Sequence, residues 1–158
     1  MDTWSRLQQW SVERRDIVFD LMRIWLGCGL FAKGIQFASD PGFLPSMLPG
    51  GGFDAVAVMG AHYAIGAHLV GGFGLVFGLF TRLSALVQIP ALLGAIFFVH
   101  LQDGLFTTSQ TLEFTLLVAF LLVLIVVHGP GRWSVDAALA RIQSAKPGKP
   151  TVARPANV

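Results

Sequence analysis

Ionisable side chains are what this 158-residue chain has least of: Asp, Glu, Lys and Arg together make up 13% of it, against roughly a quarter in an ordinary soluble domain. The apolar set reaches 54% and another 18 residues are Gly, so there are too few polar groups to cover a water-facing surface. Such a chain either oligomerises massively or has lipid for its solvent. One cysteine, Cys28, excludes an internal disulfide framework and a C-x-x-C dithiol. Phosphate loops, dinucleotide fingerprints, G-x-S-x-G elbows and zinc-ligand spacings are missing too, which leaves ATPase, hydrolase and thiol–disulfide readings without support. No metal site is expected.

What is present decides for lipid. Neither Ala55 to Phe80 nor Leu83 to Leu101 contains an Asp, Glu, Lys or Arg, and Thr107 to His128 contains only Glu113. Each is long enough to cross a hydrocarbon core. Ile17 to Ala38 is a fourth expected span, although Asp20, Arg23 and Lys33 interrupt it. It does not read as a signal peptide, because a polar segment precedes it and no clear A-x-A site follows. The sequence therefore predicts an all-α integral membrane four-helix bundle over residues 17–142, with spans at about 17–38, 55–80, 83–101 and 107–128. An interfacial segment bearing Trp4, Leu7 and Trp10 occupies 1–16. A disordered, proline-bearing tail occupies 143–158.

Charge sets the expected orientation. With the N-terminus inside, Arg6, Arg14, Arg15, Arg82, Arg132, Arg141, Lys146, Lys149 and Arg154 fall on the cytoplasmic side, which is every basic residue of the eleven except Arg23 and Lys33. The two opposite loops, 39–54 and 102–106, hold Asp40, Asp54 and Asp103 but no Lys or Arg, as the positive-inside rule requires. Both termini are expected in the cytoplasm of a bacterial-type inner membrane. The net charge of +2 follows from this topology and from anionic lipid surfaces, and gives no support to nucleic-acid binding. Lipid is the expected surrounding, with a homo-oligomer as a further partner.

Small residues mark the faces where helices meet in lipid. Gly60, Ala64, Ala67, Gly71, Gly74 and Gly78 follow 3- and 4-residue spacing, with His68 on the same stripe and directed inward. In the first span Asp20, Arg23, Gly27 and Gly34 share a face, and Asp20 can pair locally with Arg23. Pro90 removes one backbone hydrogen bond, so a modest kink is expected there. The short turn from Gly78 to Leu83 makes the second and third spans antiparallel neighbours.

Lys33, Gln36, His62, His68, His100 and Glu113 all fall in the expected outer half or at its edge, on four different spans. Ionisable groups within spans are costly and are candidates for function. Together they could bind a quinone headgroup through its carbonyls and exchange the accompanying protons; haem or metal ligation is less favoured. His62 and His68 lie about 120° apart around a helix and do not share one metal without distortion. Each residue also has a plain structural reading. Lys33 snorkels, His62 and His68 are hydrogen-bonded packing residues, and His100 and Glu113 flank a loop as interfacial polar groups. Asp20, Arg23, Arg82 and Arg132 read as structural polar residues.

Three stretches carry a resemblance to a known family: Leu21-Met22-Arg23-Ile24-Trp25-Leu26-Gly27 with Phe31 and Gly34, the turn Gly78 to Ala85, and Gly129-Pro130-Gly131-Arg132-Trp133-Ser134-Val135-Asp136, preceded by Glu113 at the start of the fourth span. The chain resembles the DoxX family of small four-helix membrane proteins over roughly Asp16 to Ala138. In that last stretch Gly-Pro-Gly stops a helix, Trp133 suits the interface, and Ser134 is placed to cap a surface helix from Val135 to Ile142 with Asp136 in its first turn. The resemblance implies a subunit or accessory of membrane redox systems, similar to those of thiosulfate:quinone oxidoreductase and quinol oxidase, with redox partner proteins beside it. It carries Arg23 and Glu113 across as site positions. At Lys33 the family commonly has His, and at His68 an acidic residue, which interrupts any catalytic carry-over there. Two functions follow: a quinone-interacting or accessory subunit of a redox complex, or a non-enzymatic scaffold or small-ligand carrier that stabilises partner proteins. Transport is a weaker third, since four spans alone rarely enclose a path.

Overall fold

The computed structural model describes residues 3–40, 55–100 and 110–144, with the side chains of residues 3–15, 56–57 and 100 outside that description. Among the described residues every regular element is helical. Helix α1 is Thr3–Ser39. Helix α2 begins as Ala55–Gly66, widens into a π-helical turn at Ala67–Gly71 and resumes at Gly72–Phe77. Helix α3 is Thr81–Gly94, running on into a second π-helical stretch at Ala95–His100. Helix α4 is Thr111–His128 and α5 is Val135–Ser144. The expected outer loops and tail fall largely in 41–54, 101–109 and 145–158, outside the described residues.

Among the described residues three helices are long and apolar enough to cross a membrane: Val58–Phe77, Thr81–Val99 and Thr111–His128, with mean hydropathies of 1.2, 1.8 and 2.4. Their outward positions carry large apolar side chains such as Phe73, Leu86, Phe97, Phe114 and Phe120, all exposed. In water this pattern would aggregate, whereas in a bilayer those side chains meet acyl chains. Helix α1 is continuous from Thr3 to Ser39, with no break at residue 16 between the polar start and the apolar stretch.

Lipid tails are as apolar as Leu, so helices in a membrane gain little from hydrophobic burial against one another and rely on close packing. Glycine provides it here. A Cβ on Gly27 would lie 2.7 Å from Val76 N, and one on Gly72 would lie 2.6 Å from Phe31 N. Helices α1 and α2 therefore touch backbone to backbone. Gly71 plays the same part between α2 and α3, where a Cβ would meet Ser84 O at 2.9 Å and Gln88 Nε2 at 3.0 Å. Leu26 and Leu30 of α1, Leu75 of α2, Ala85 and Leu92 of α3, and Val118, Leu122 and Ile125 of α4 close into a common core.

The small-residue stripe of α2 departs from expectation at one end. Gly60 is exposed, and a Cβ there would touch nothing. The π-helical turn at Ala67–Gly71 is the reason, because a widened turn shifts the face that 3- and 4-residue spacing would otherwise carry straight along the helix. Helix α3 continues through Pro90. The backbone one turn earlier takes an outside donor: Tyr63 donates its hydroxyl to Val87 O at 2.7 Å.

Candidate functional site

Among the described residues a dense polar assembly lies where α1, the α2–α3 turn and the segment after α4 meet. Asp20 and Arg23 are one turn apart on α1 and each only 1% exposed. Arg23 Nη2 donates to Asp20 Oδ1 at 3.2 Å, while Nη1 reaches Leu75 O and Val76 O at the end of α2. Helix C-termini leave their last carbonyls without intrahelical donors, and a guanidinium there answers both that need and the local negative dipole. Trp133 N donates to the other oxygen, Asp20 Oδ2, at 3.0 Å. One carboxylate thus joins α1 to a residue 113 positions later.

Local chemistry explains why these segments can meet. Gly78 ends α2 in the left-handed region, with φ of 65°. Leu79 N donates to Gly74 O and Gly78 N to Leu75 O, the paired bonds of a Schellman cap. A Cβ on Gly78 would collide with Ser134 on one side and lie 2.8 Å from Arg23 Nη1 on the other. Gly131 has no room for a side chain either, because the Asp20 carboxylate occupies that space. Gly129 turns the chain out of α4 with φ of 87° and lies against the Arg82 guanidinium. Ser134 Oγ then accepts from Ala137 N at 3.0 Å, the cap that starts α5.

Asp136 sits in the first turn of α5 and reaches outward to a neighbouring helix. Its carboxylate accepts from Phe80 N and Thr81 N, both at 2.8 Å, and from Thr81 Oγ1 at 2.9 Å. Phe80 has a left-handed φ of 46° and makes no side-chain cap for α3, so Asp136 supplies the cap from another element. Burial raises the Asp136 pKa, but the Thr81 and Phe80 hydrogen bonds, with Arg23 nearby, outweigh it and hold the carboxyl below its ordinary value. Arg132 lies 3.9 Å from Asp16 and is exposed. His128, at the end of α4, stacks on Phe19 of α1 with ring centroids 4.0 Å apart.

The outer-half candidates are arranged differently. His68 is 6% exposed; its Nδ1 is 2.7 Å from Ala64 O, and its ring meets Phe37 of α1 edge-on, with centroids 5.5 Å apart. Lys33 Nζ stands 5.4 Å from the centre of that Phe37 ring and donates to Gln36 Oε1 at 3.0 Å, in an exposed position. Lys33 and His68 are therefore brought together through Phe37, and Gln36 joins them through Lys33. His62 is exposed and bonded to its own helix, with Nδ1 2.7 Å from Val58 O. Glu113 is half-buried in the first turn of α4. The His100 side chain lies outside the described residues.

The family model DoxX matches residues 18–101, more than half of the chain. The chain belongs to the DoxX family. No curated protein and no solved structure matches it. The match takes in Asp20, Arg23, Gly78 and the face around His68, so both polar regions of this DoxX-family membrane protein draw on family-matched residues. The segment Gly129 to Asp136, which completes the first assembly, lies beyond the matched stretch.

Gln88 is not among the site residues expected from the sequence of this DoxX chain. It is fully buried on α3, and neither Nε2 nor Oε1 has a hydrogen-bond partner among the described residues. Its signal in the sequence was an uncharged polar residue in the middle of an apolar run. The reach of Asp136 to Phe80 and Thr81 and of Trp133 N to Asp20 had no local signal, since periodicity does not report contacts between distant segments.

Proposed function

We propose that this chain is a four-span protein of a bacterial-type cytoplasmic membrane, with both termini cytoplasmic, and that it serves as an accessory subunit of a membrane redox complex. Its own contribution is structural: it stabilises partner subunits and leaves electron transfer to them. The observation that carries this reading is the Asp20–Arg23 pair. The most deeply buried ionisable residues among those described have their charge met by each other and by backbone groups of α2 and the post-α4 segment. Buried charges engaged in this way fix an arrangement of helices. The one-sided distribution of basic residues supports the orientation.

A second reading is favoured by His68 with Phe37 and Lys33, where a quinone headgroup would find an imidazole, an aromatic ring and an ammonium on one face. One experiment separates the two. Protein purified in detergent is extracted with organic solvent, assayed for quinone and haem, and its optical spectrum recorded. The accessory reading expects neither cofactor at one per chain. A stoichiometric quinone that is lost in His68→Ala, with helicity retained, overturns it in favour of direct quinone contact.

A further inference from the structure

An open cavity of about 770 Å³ lies beside the Asp20–Arg23 assembly, between α1 and the start of α5, with Ile17, Asp20, Pro130, Arg132, Trp133 and Arg141 among its lining residues. That volume falls within the range of about 300–1,000 Å³ usual for small-molecule sites. Its charge balance is positive. Both Asp20 oxygens are engaged, one by Arg23 and one by Trp133 N. Asp16 stands at the long distance of 3.9 Å from Arg132, whose side chain is 60% exposed. Arg141 is held in place by donating Nη2 to Arg132 O at 2.6 Å, and its other N–H donors have no acceptor among the described residues. The walls are amphipathic as well. Trp133 is 62% exposed, and α5 buries none of its residues, leaving Val135, Leu139 and Ile142 as an exposed stripe at helical spacing.

We propose that this cavity is the headgroup site of an anionic phospholipid, with the phosphate held by Arg132 and Arg141 and the acyl chains lying beside Ile17 and Trp133. Two guanidiniums offer the donor geometry that a phosphate takes up. A soluble phosphate would have no use for the tryptophan and isoleucine walls, whereas a lipid at the bilayer surface needs both parts. Trp at headgroup depth and an amphipathic helix lying in the interface are how proteins mark that level. Helix α5 is then a device that holds a lipid against the end of the helices as well as capping α3. This inference does not depend on the accessory role proposed above.

The test uses the full chain, delipidated in detergent and titrated with phosphatidylglycerol or phosphatidylcholine, with bound lipid counted by native mass spectrometry. The expected result is one saturable phosphatidylglycerol site per chain, preferred over phosphatidylcholine. The Arg132→Gln/Arg141→Gln double variant weakens it on the order of tenfold or more. Lys146→Gln/Lys149→Gln, an equal charge change in the tail, leaves it unaltered. In parallel, a photoactivatable phosphatidylglycerol is crosslinked to the unaltered protein, so that the site is read even where the arginine variant does not fold. Labelling of Ile17 or of residues 130–141 supports the site; labelling confined to other residues overturns it. Equal binding of the two lipids overturns it, and so does inorganic phosphate binding as tightly as the lipid with the same arginine dependence, which would mark a soluble-anion site.

Discussion

Asp20 shows how far a single residue's role can lie from its sequence neighbourhood. Spacing alone pairs it with Arg23, three residues on, and the pair is there. The third partner, Trp133 N, is invisible to any local reading because the bond depends on how α4 and the following turn return the chain to α1. Removing one member of a buried pair leaves an uncompensated charge, a loss of about 3–5 kcal/mol. Asp20→Ala is accordingly expected to lower stability by that order, measured by thermal or denaturant unfolding in micelles. Gln88 is the opposite case. A buried amide with no partner costs about 1–3 kcal/mol, so Gln88→Met, which keeps the shape and drops the polar atoms, is expected to raise the unfolding temperature. An unchanged or lowered temperature would show that the amide has a partner after all.

At the scale of elements, the apolar runs were enough to locate α2, α3 and α4, because length and hydropathy set those helices directly. They did not disclose the π-helical turns at Ala67–Gly71 and Ala95–His100, whose widening depends on packing against neighbours. That is why Gly60 reads as part of a packed stripe yet faces outward. Ser134 and Asp136 were legible as the start of a surface helix, and Ser134 does cap it. The use of Asp136 as the cap of α3 was not legible, since the missing cap at Phe80 becomes evident only from its left-handed backbone. Because the fold holds the Asp136 carboxyl below its ordinary value, its stabilising contribution is complete above the ordinary carboxylate range and is lost as pH falls through the lower folded value. Comparing wild type with Asp136→Asn between about pH 6 and pH 3, the stability difference is expected to be largest at the upper end and to shrink toward the lower. A constant difference would mean that the carboxylate charge is irrelevant to the cap.

For the whole molecule, the membrane setting and the all-helical class were legible in the sequence, and the described residues, all helical in their regular elements and with three helices long and apolar enough to cross a membrane, agree with both. The convergence of the outer-half candidates was less legible. Lys33 and His68 meet at Phe37, with Gln36 bonded to Lys33, while His62 is turned to its own helix, because depth in the bilayer says nothing about direction around a helix. The orientation proposed from charge makes a direct forecast. Reporter fusions at the two ends of the chain are expected to register in the cytoplasm, and an insertion at 102–106 on the opposite side. Reporters at the two ends that disagree would mean an odd number of crossings.

The bond from Trp133 N to Asp20 Oδ2 also sets a clock on biosynthesis. Asp20 and Arg23 leave the ribosome with the first helix, but the donor to the second carboxylate oxygen is 113 residues behind, on the order of ten seconds at ordinary elongation rates. Throughout that interval the nascent chain carries a half-satisfied charge pair, and Gly78 has yet to receive Ser134. Assembly of this end therefore waits for nearly the whole chain, and a ribosome stalled after α4 releases a product with its apolar helices made and its fastening absent.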